Sequence, residues 1–339
     1  MNIVIVIPTY NEAENIKKLI PLLTQQILKF SHHKFDILVV DGNSPDGTGR
    51  VVNDFADKYS NIHLLLEQKK SGIGAAYFYG FKYAMQKLSA DALIEMDADL
   101  QHKPEDLYKL VEEFDKGYDY VLGSRYVKGG GIPKEWSLYR KFLSYVGGSL
   151  FCKFVLGIFN INDFTTGFKI SRVKGFVDQI KFNEIDSKSF GYKVELLYRM
   201  YKLGAKIKEV PIIFGLRDRG NSKIEKDTAL EILKIVLSIR YSENRNFFKF
   251  LIVGFTGLFV DSSIFSIIRL TSIGSSTASF LSGFIAMITT FSLNNFWSFK
   301  ERKFESSQKA IINFIIYFIS SYIPIIFRSF LIKFSVTNF

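Results

Sequence analysis

Asp91-Ala92-Leu93-Ile94-Glu95-Met96-Asp97-Ala98-Asp99-Leu100-Gln101 is the stretch on which the reading of this 339-residue chain turns. Its first half is a short apolar run of strand length; its second half carries two acids and an amide. Side chains alternate along a strand, so Asp97 and Asp99 point the same way at its C-terminal end. Two carboxylates with the amide oxygen of Gln101 are hard ligands suited to Mg2+ or Mn2+, and Mg2+ in particular fills its remaining positions with water or substrate phosphates. An isolated Asp-x-Asp is as readily a solvated turn before a helix, and Pro104 and Glu105 do open one here. What decides between the two is the pattern on either side.

Upstream, Ile3–Ile7 is a continuous β-branched run, the signature of a central parallel strand. Pro8-Thr9-Tyr10-Asn11-Glu12 turns it into a helical stretch reaching about Leu28. Phe35–Val40 is a second strand, closed by Asp41-Gly42-Asn43-Ser44-Pro45-Asp46-Gly47. A helix over about 47–59, a strand over 62–66 and a helix over about 73–88 lead to the strand before Asp97. Downstream, Pro104 suits a first helical turn, His102 reads as a polar cap before it, and Tyr118–Leu122 is a further strand. Strands alternating with helices specify a doubly wound α/β sheet, in which ligands sit beyond the strand C-terminal ends. Tyr10, Glu12, Asp41, Asp97 and Asp99 all fall at those ends.

Composition shifts after about residue 240. Between 245 and 339 there are three acids (Asp261, Glu301, Glu305) against nine bases, which supplies +6 of the net charge of +11, while apolar content rises to membrane levels. The basic excess flanks apolar segments, so an anionic lipid bilayer is the expected partner and nucleic acid is not. Phe247–Leu270 and Ser275–Phe299 each exceed the roughly 20 apolar residues of a span. A third candidate covers 311–330; its apolar core, Ile311–Phe327, is shorter and contains Pro324. The basic connection from Lys300 to Lys309, with Arg245 and Lys249, places these ends in the cytosol. The expectation is an integral membrane protein with its N-terminal domain on the cytoplasmic face. Asp261 falls mid-span and reads as a polar clamp to Asn294, Asn295 or the serines and threonines of the second span. Two further segments are amphipathic and too short or too charged to span: 142–159, read either as lying on a membrane surface or as a buried helix of the domain, and Asp227–Tyr241. The single Cys152 excludes a disulfide framework, and the first residues lack the basic n-region of a signal peptide. The expected domains are 1–225, an interface helix and linker over 226–244, and a membrane domain over 245–339.

Three segments then carry a family resemblance: Ile7-Pro8-Thr9-Tyr10-Asn11-Glu12, Val40-Asp41-Gly42-Asn43-Ser44-Pro45-Asp46-Gly47-Thr48 and Met96–His102 are similar to the signatures of family 2 glycosyltransferases. Gly123-Ser124-Arg125-Tyr126-Val127-Lys128-Gly129-Gly130-Gly131, Trp136–Ser144, and Val210-Pro211-Ile212 to Arg217 with Gly220-Asn221-Ser222-Lys223 resemble the dolichyl-phosphate (polyprenyl-phosphate) mannose synthase group. The match covers about 1–225. The tail resembles the small four-span domain associated with such enzymes, although only three spans are found.

The resemblance implies a nucleotide-sugar-binding, Rossmann-like (GT-A type) domain followed by an all-α membrane domain. It implies inverting, metal-dependent transfer of mannose from GDP-mannose to the phosphate of a membrane polyprenyl (dolichyl) phosphate. Residue by residue, Pro8, Tyr10, Glu12, Val39 and Asp41 would hold the nucleoside, and Asp97 and Ala98 would border the ribose and diphosphate. Asp99 and Gln101 would ligate Mg2+ or Mn2+, with Asp97 close enough to share the ion. Arg125, Arg140, Arg217 and Lys223 would contact phosphates of donor and acceptor, and Ser144 the acceptor phosphate. Gly215-Leu216-Arg217-Asp218-Arg219 stands where the family has an Asp immediately before the Arg, so Arg219 competes with Arg217. The chemistry agrees with these roles: arginine binds phosphate bidentately, and an acceptor phosphate, with a second pKa of about 6, arrives ionised and needs no general base. The alternatives are the same chemistry with UDP-glucose or another UDP-sugar, a processive or protein-directed transferase, and a non-catalytic membrane scaffold or lipid carrier.

Overall fold

The computed structural model describes residues 1–216 and 226–299, with 315, 316, 319, 320, 326 and 327. The chain divides into two compact units, Met1–Arg240 and Tyr241–Phe339.

In the first unit the N-terminal apolar run forms β1 (Asn2–Thr9), parallel to β2 (Lys34–Asp41) on one side and to β4 (Ala92–Glu95) on the other. β3 (Ile62–Leu66) pairs outside β2. Beyond β4 lie β6 (Lys169–Arg172), β5 (Tyr120–Ser124) and β7 (Ile207–Pro211), giving the order β3-β2-β1-β4-β6-β5-β7. β6 runs antiparallel to both neighbours, so the sheet is mixed. The chain winds outward from β1 through β3 and then returns to β4 on the other side of β1. That reversal opens a crevice between the C-terminal ends of β1 and β4.

Period-two alternation splits the core. Ile3, Ile5, Ile7, Ile37 and Val39 point to the face covered by α1 (Ala13–Ile27), α2 (Thr48–Ala56) and α4 (Leu107–Asp115). Val4, Val6, Leu38 and Val40 point to the opposite face, covered by α3 (Ile73–Lys87) and α7 (Tyr192–Lys202). Each fully buried aliphatic side chain contributes about 1.5–3 kcal/mol. α3 approaches closely because Gly80 has no side chain: a Cβ there would meet Val6 Cγ1 at 2.6 Å and Val40 Cγ2 at 2.8 Å.

Residues 142–156 of the 142–159 segment lie in a helical stretch composed of α5 (Leu138–Phe142), a π-helical run Leu143–Phe151 and α6 (Cys152–Leu156), which Gly157 ends. Gly148, Ser149, Cys152 and Leu156 face the core, while Leu138, Tyr139, Phe142, Tyr145, Phe154 and Phe159 are exposed. α8 (Lys226–Glu243) packs on the first unit through Ile235 and Val236 and leaves Leu230, Leu233 and Leu237 exposed. Its Glu231 accepts a hydrogen bond from Ser187.

The second unit is described for α9 (Arg245–Ile268), α10 (Ser275–Leu293) and a π-helical turn, Asn294–Ser298. The first two pack as a hairpin through small residues, with Gly257 against Thr290 and Ala278, Ser279, Ser282 and Gly283 buried. Asp261 finds its clamp partner on the second helix, where Ser282 Oγ donates at 2.6 Å. Most of the third candidate span lies outside the described residues.

Candidate active site

The loop after β2 is folded by its own side chains. Asp41 accepts hydrogen bonds from Thr9 Oγ1 (2.9 Å), Ser44 Oγ (2.6 Å) and the Ser44 N–H (2.9 Å), so both its oxygens are engaged. Ser44 Oγ also accepts from the Asn11 N–H, and Asp46 accepts from the N–H groups of Ala13 and Thr48. Burial pushes the Asp46 carboxyl up, but the hydrogen bonds from Thr48 and Ala13 outweigh it and hold it below the usual range. Asn11 and Asn43 both turn at φ 58°, a left-handed conformation that Asn tolerates. The start of α1 and the 41–48 loop are thereby locked together, with Pro8 and Tyr10 at their junction. Val39 has its side chain fully buried in the sheet core, beneath this junction.

Beyond β4 the acidic motif forms a tight turn. Leu100 stands at φ 60°, which brings the Gln101 N–H to Asp99 Oδ1 at 3.2 Å. Asp97 is the more open carboxylate: Tyr77 Oη donates to its Oδ1 at 3.1 Å and Lys193 Nζ lies 3.7 Å from its Oδ2. Gln101 donates through Nε2 to the Gly215 carbonyl at 3.0 Å, and the Gly215 N–H returns a bond to the Gln101 carbonyl at 2.8 Å. This fixes the start of the segment that carries Arg217. With Nε2 spent in that way, Gln101 retains its hard-donor oxygen. Two carboxylates and one amide oxygen within a five-residue turn fit a Mg2+- or Mn2+-type ion, which Asp97, Asp99 and Gln101 would hold. Tyr77 and Lys193 were not foreseen; both come from helices whose apolar pattern masks them.

His102 is not the cap of the following helix, whose N-cap is Lys103. It is 2% exposed, stacks on Phe168 with centroids 5.3 Å apart, and accepts the Asp97 N–H on Nδ1 at 3.4 Å. Burial lowers its pKa, outweighing Asp97 and Asp99, so the ring supports the acidic turn as a neutral group.

Arg125 is held rather than extended toward solvent. Its Nε and Nη2 bind Asp163 at 2.8 and 2.6 Å, Nη2 also reaches Thr165 Oγ1 at 2.7 Å, and the guanidinium lies over Phe214. Asp163 is fully buried; burial raises its pKa, but Arg125 reverses this and keeps the carboxyl below the usual range. Asp163 is anchored in turn by Glu209 on β7, which accepts from the N–H groups of Asn162 and Asp163. Ser144 Oγ bonds Tyr126 Oη at 2.6 Å, and the Arg140 guanidinium stacks on Trp136 at 3.9 Å. Trp136 packs edge-on against Phe214, so Arg125, Arg140 and Ser144 belong to one cluster centred on aromatic rings. Asp163 and Glu209 escaped the sequence reading because their partners lie 38 to 47 residues away.

A cavity of about 590 Å³ occupies the crevice. Of the expected residues, Pro8, Tyr10, Glu12, Asp97, Ala98 and Asp99 line it; Val39, Asp41, Gln101, Arg125, Arg140 and Ser144 do not. α8 closes one wall with Thr228, Glu231 and Lys234. Arg217, Lys223 and the competing Arg219 lie outside the described residues.

Residues 4–177 match the glycosyl transferase family 2 model, and residues 249–339 match the GtrA/DPMS transmembrane domain. The chain belongs to glycosyl transferase family 2. This glycosyltransferase is 32% identical over 96% of its length to a dolichol-phosphate mannosyltransferase of Pyrococcus furiosus, 92% of which is covered. It is 38% identical to an undecaprenyl-phosphate mannosyltransferase of Micrococcus luteus, over 66% of this chain and 88% of that one. It is 36% identical to a polyprenol monophosphomannose synthase of Mycolicibacterium smegmatis, over 68% of this chain and 83% of that one. The first unit is the GT-A-like catalytic domain of the glycosyltransferase. In the second, Arg245–Ile268 and Ser275–Ser298 are long and apolar enough to cross a membrane, consistent with the matched domain.

Proposed function

We propose that this glycosyltransferase transfers mannose from GDP-mannose to the phosphate of a membrane polyprenyl (dolichyl) phosphate, with inversion at the sugar carbon and with a divalent metal. The observation that carries this reading is the joint match: a family 2 domain fused to a GtrA/DPMS membrane domain, with 32% identity along 96% of the chain to a lipid-phosphate mannosyltransferase. The catalytic domain then faces the cytosol.

In this reading Pro8, Tyr10 and Glu12 border the nucleoside, with Val39 packed beneath and Asp41 shaping the loop. Asp97, Asp99 and Gln101 would hold Mg2+ or Mn2+, and Ala98 passes alongside the diphosphate. When bound, such an ion neutralises charge that develops on the leaving diphosphate. Tyr77 and Lys193 orient Asp97 for that task. Arg217 and Lys223 bring positive charge to the donor phosphates. Arg125, Arg140 and Ser144 receive the acceptor phosphate. Among the described residues, three guanidinium N–H groups of Arg125 are committed to Asp163 and Thr165, which leaves the Nη1 pair for an incoming oxygen. A phosphate oxygen, already anionic near neutrality, attacks the anomeric carbon. The bond from that carbon to the β-phosphate oxygen breaks, and GDP leaves with the electron pair. No proton is moved, so the step calls for no general base. The gain comes from orientation and from screening two phosphates that repel each other.

Incubation of the full chain in detergent with labelled donor and a polyprenyl phosphate tests the reading. Metal-dependent labelling of lipid is expected from GDP-mannose and not from UDP-glucose. Labelling from UDP-glucose instead would retain the reaction and replace the donor; labelling from neither would remove the reading.

A further inference from the structure

One end of the cavity carries two charged side chains that the transfer step does not use. Glu67 and Lys70 follow β3 and line the cavity beside Tyr10 and Gly42. The Glu67 N–H donates to the Asp41 carbonyl at 2.9 Å, extending the β2–β3 pairing past the strand end and fixing where Glu67 stands. Ser71 Oγ donates to the Glu67 carboxylate and orients it. Lys70 Nζ lies 4.5 Å from the centroid of the Tyr10 ring. Gly42 is the spacer that brings them together: a Cβ there would meet Tyr10 Cδ2 at 3.4 Å and Lys70 Cα at 3.5 Å. Two other carboxylates near this end are already engaged by the chain's own donors. Asp41 is 1% exposed with both oxygens occupied, and Glu12 accepts from Asn15 Nδ2 at 2.6 Å on α1.

We infer that Glu67 and Lys70 read the hydrogen-bonding edge of the donor's base and make the site selective for guanine. This rests on the proposed nucleotide-sugar reading of the cavity. Guanine presents an acceptor (O6), a donor (N1–H) and a second donor (the N2 amine) in a row. An ammonium meets the first, and a carboxylate accepts from the other two. Uracil presents acceptor, donor, acceptor, so its second carbonyl would be set against a carboxylate oxygen. A site built to pair a substrate amine rejects the analogue that lacks it, because its own polar group is then left unpaired. Partial burial already raises the Glu67 carboxyl above its ordinary pKa, with Ser71 opposing and Asp41 adding to the rise. Donors from a base would relieve that desolvation.

The test is equilibrium binding of GDP, IDP and UDP to the full chain in detergent with Mn2+ present, for wild type and Glu67→Gln. IDP keeps O6 and N1–H and lacks only the N2 amine. Wild type is expected to prefer GDP over IDP by about tenfold, the worth of one charged hydrogen bond, and to bind UDP more weakly still. Glu67→Gln should weaken GDP by about tenfold or more and bring the GDP-to-IDP ratio close to one. Lys70→Met should weaken GDP and IDP together and leave their ratio intact. A wild-type preference for GDP over IDP that survives Glu67→Gln overturns the role of Glu67 while leaving the donor reading standing. Wild-type protein that prefers UDP overturns the donor reading itself. If Glu67→Gln unfolds at lower temperature and binds nothing, Glu67→Asp takes its place: the carboxylate withdrawn by one methylene should fold and lose the discrimination, and full discrimination would overturn the inference.

Discussion

Leu100 at φ 60° is an expensive residue to place in a left-handed turn, costing on the order of 1 kcal/mol or more. It is compensated by the Asp99–Gln101 bond and by the Gln101–Gly215 pair, and the result is a fixed cradle of oxygens. Asp99→Asn keeps this shape and removes the charge. Transfer should fall by about 10²–10³-fold, as for the loss of one preorganised electrostatic contact, with an unchanged melting temperature; a mild effect in a steady-state assay would contradict the assigned role. Asp163 behaves differently because its charge serves Arg125. Breaking one side of a buried ion pair costs about 3–5 kcal/mol, so Asp163→Asn should lower the melting temperature clearly and raise the KM for lipid acceptor. The sign with pH follows from its depressed pKa. The pair's contribution is present above the ordinary carboxylate value of 3.8 and is lost as pH falls through the lower folded value. Acid unfolding curves of Asp163→Asn should therefore lack that part of the acid limb seen in wild type. Cys152, with its thiol pushed up to about 12 by burial, should resist maleimide at pH 8 until the chain is unfolded; prompt labelling of folded protein would contradict the packing of α6. Asp97, Asp99 and Gln101 are legible in the sequence because they fall within five residues of one another; their partners Tyr77, Lys193 and Gly215 come from distant parts of the chain. Arg125 is legible as a cation, but its partner is not, since Asp163 reaches it only through the fold.

At the scale of elements, legibility follows apolar continuity. β1 through β5 announce themselves because their buried faces are written in Val, Ile and Leu. β6 does not. It is four residues long, begins with Lys169 and ends with Arg172, and its lysine is buried with Glu95 on β4 at 3.3 Å. Burial lowers the pKa of Lys169 and raises that of Glu95, and each partly restores the other. A buried cross-strand ion pair cannot be recognised from either strand alone. The π-helical run between α5 and α6 is likewise invisible in sequence, where 142–159 shows only an apolar stretch with small residues. α3 provides a test of packing at this scale. Gly80→Val would drive methyl groups into Val6 and Val40, and overpacking of that kind costs about 1–3 kcal/mol; a correspondingly lower thermal midpoint is expected for the catalytic unit. A melting curve superimposable on wild type would mean that α3 does not sit where Gly80 permits.

Across the whole molecule, the break in composition near residue 240 is the most legible feature, and the two compact units divide at Arg240/Tyr241. A composition break is easy to see because a membrane selects on composition while a soluble core selects on pattern. The first unit supplies a crevice lined with carboxylates and an arginine cluster, and in the proposed reaction the acceptor arrives as an anion. Direct attack by that anion, as proposed, would fix both the identity and the stereochemistry of the product. The decisive measurement is NMR of the lipid formed from GDP-mannose carbon-13 labelled at the anomeric position, with polyprenyl phosphate, Mn2+ and the full chain in detergent. A single displacement predicts a β-linked mannose with its labelled carbon coupled to the lipid phosphorus. An α-linked product, or labelled sugar with no phosphorus coupling, would contradict it.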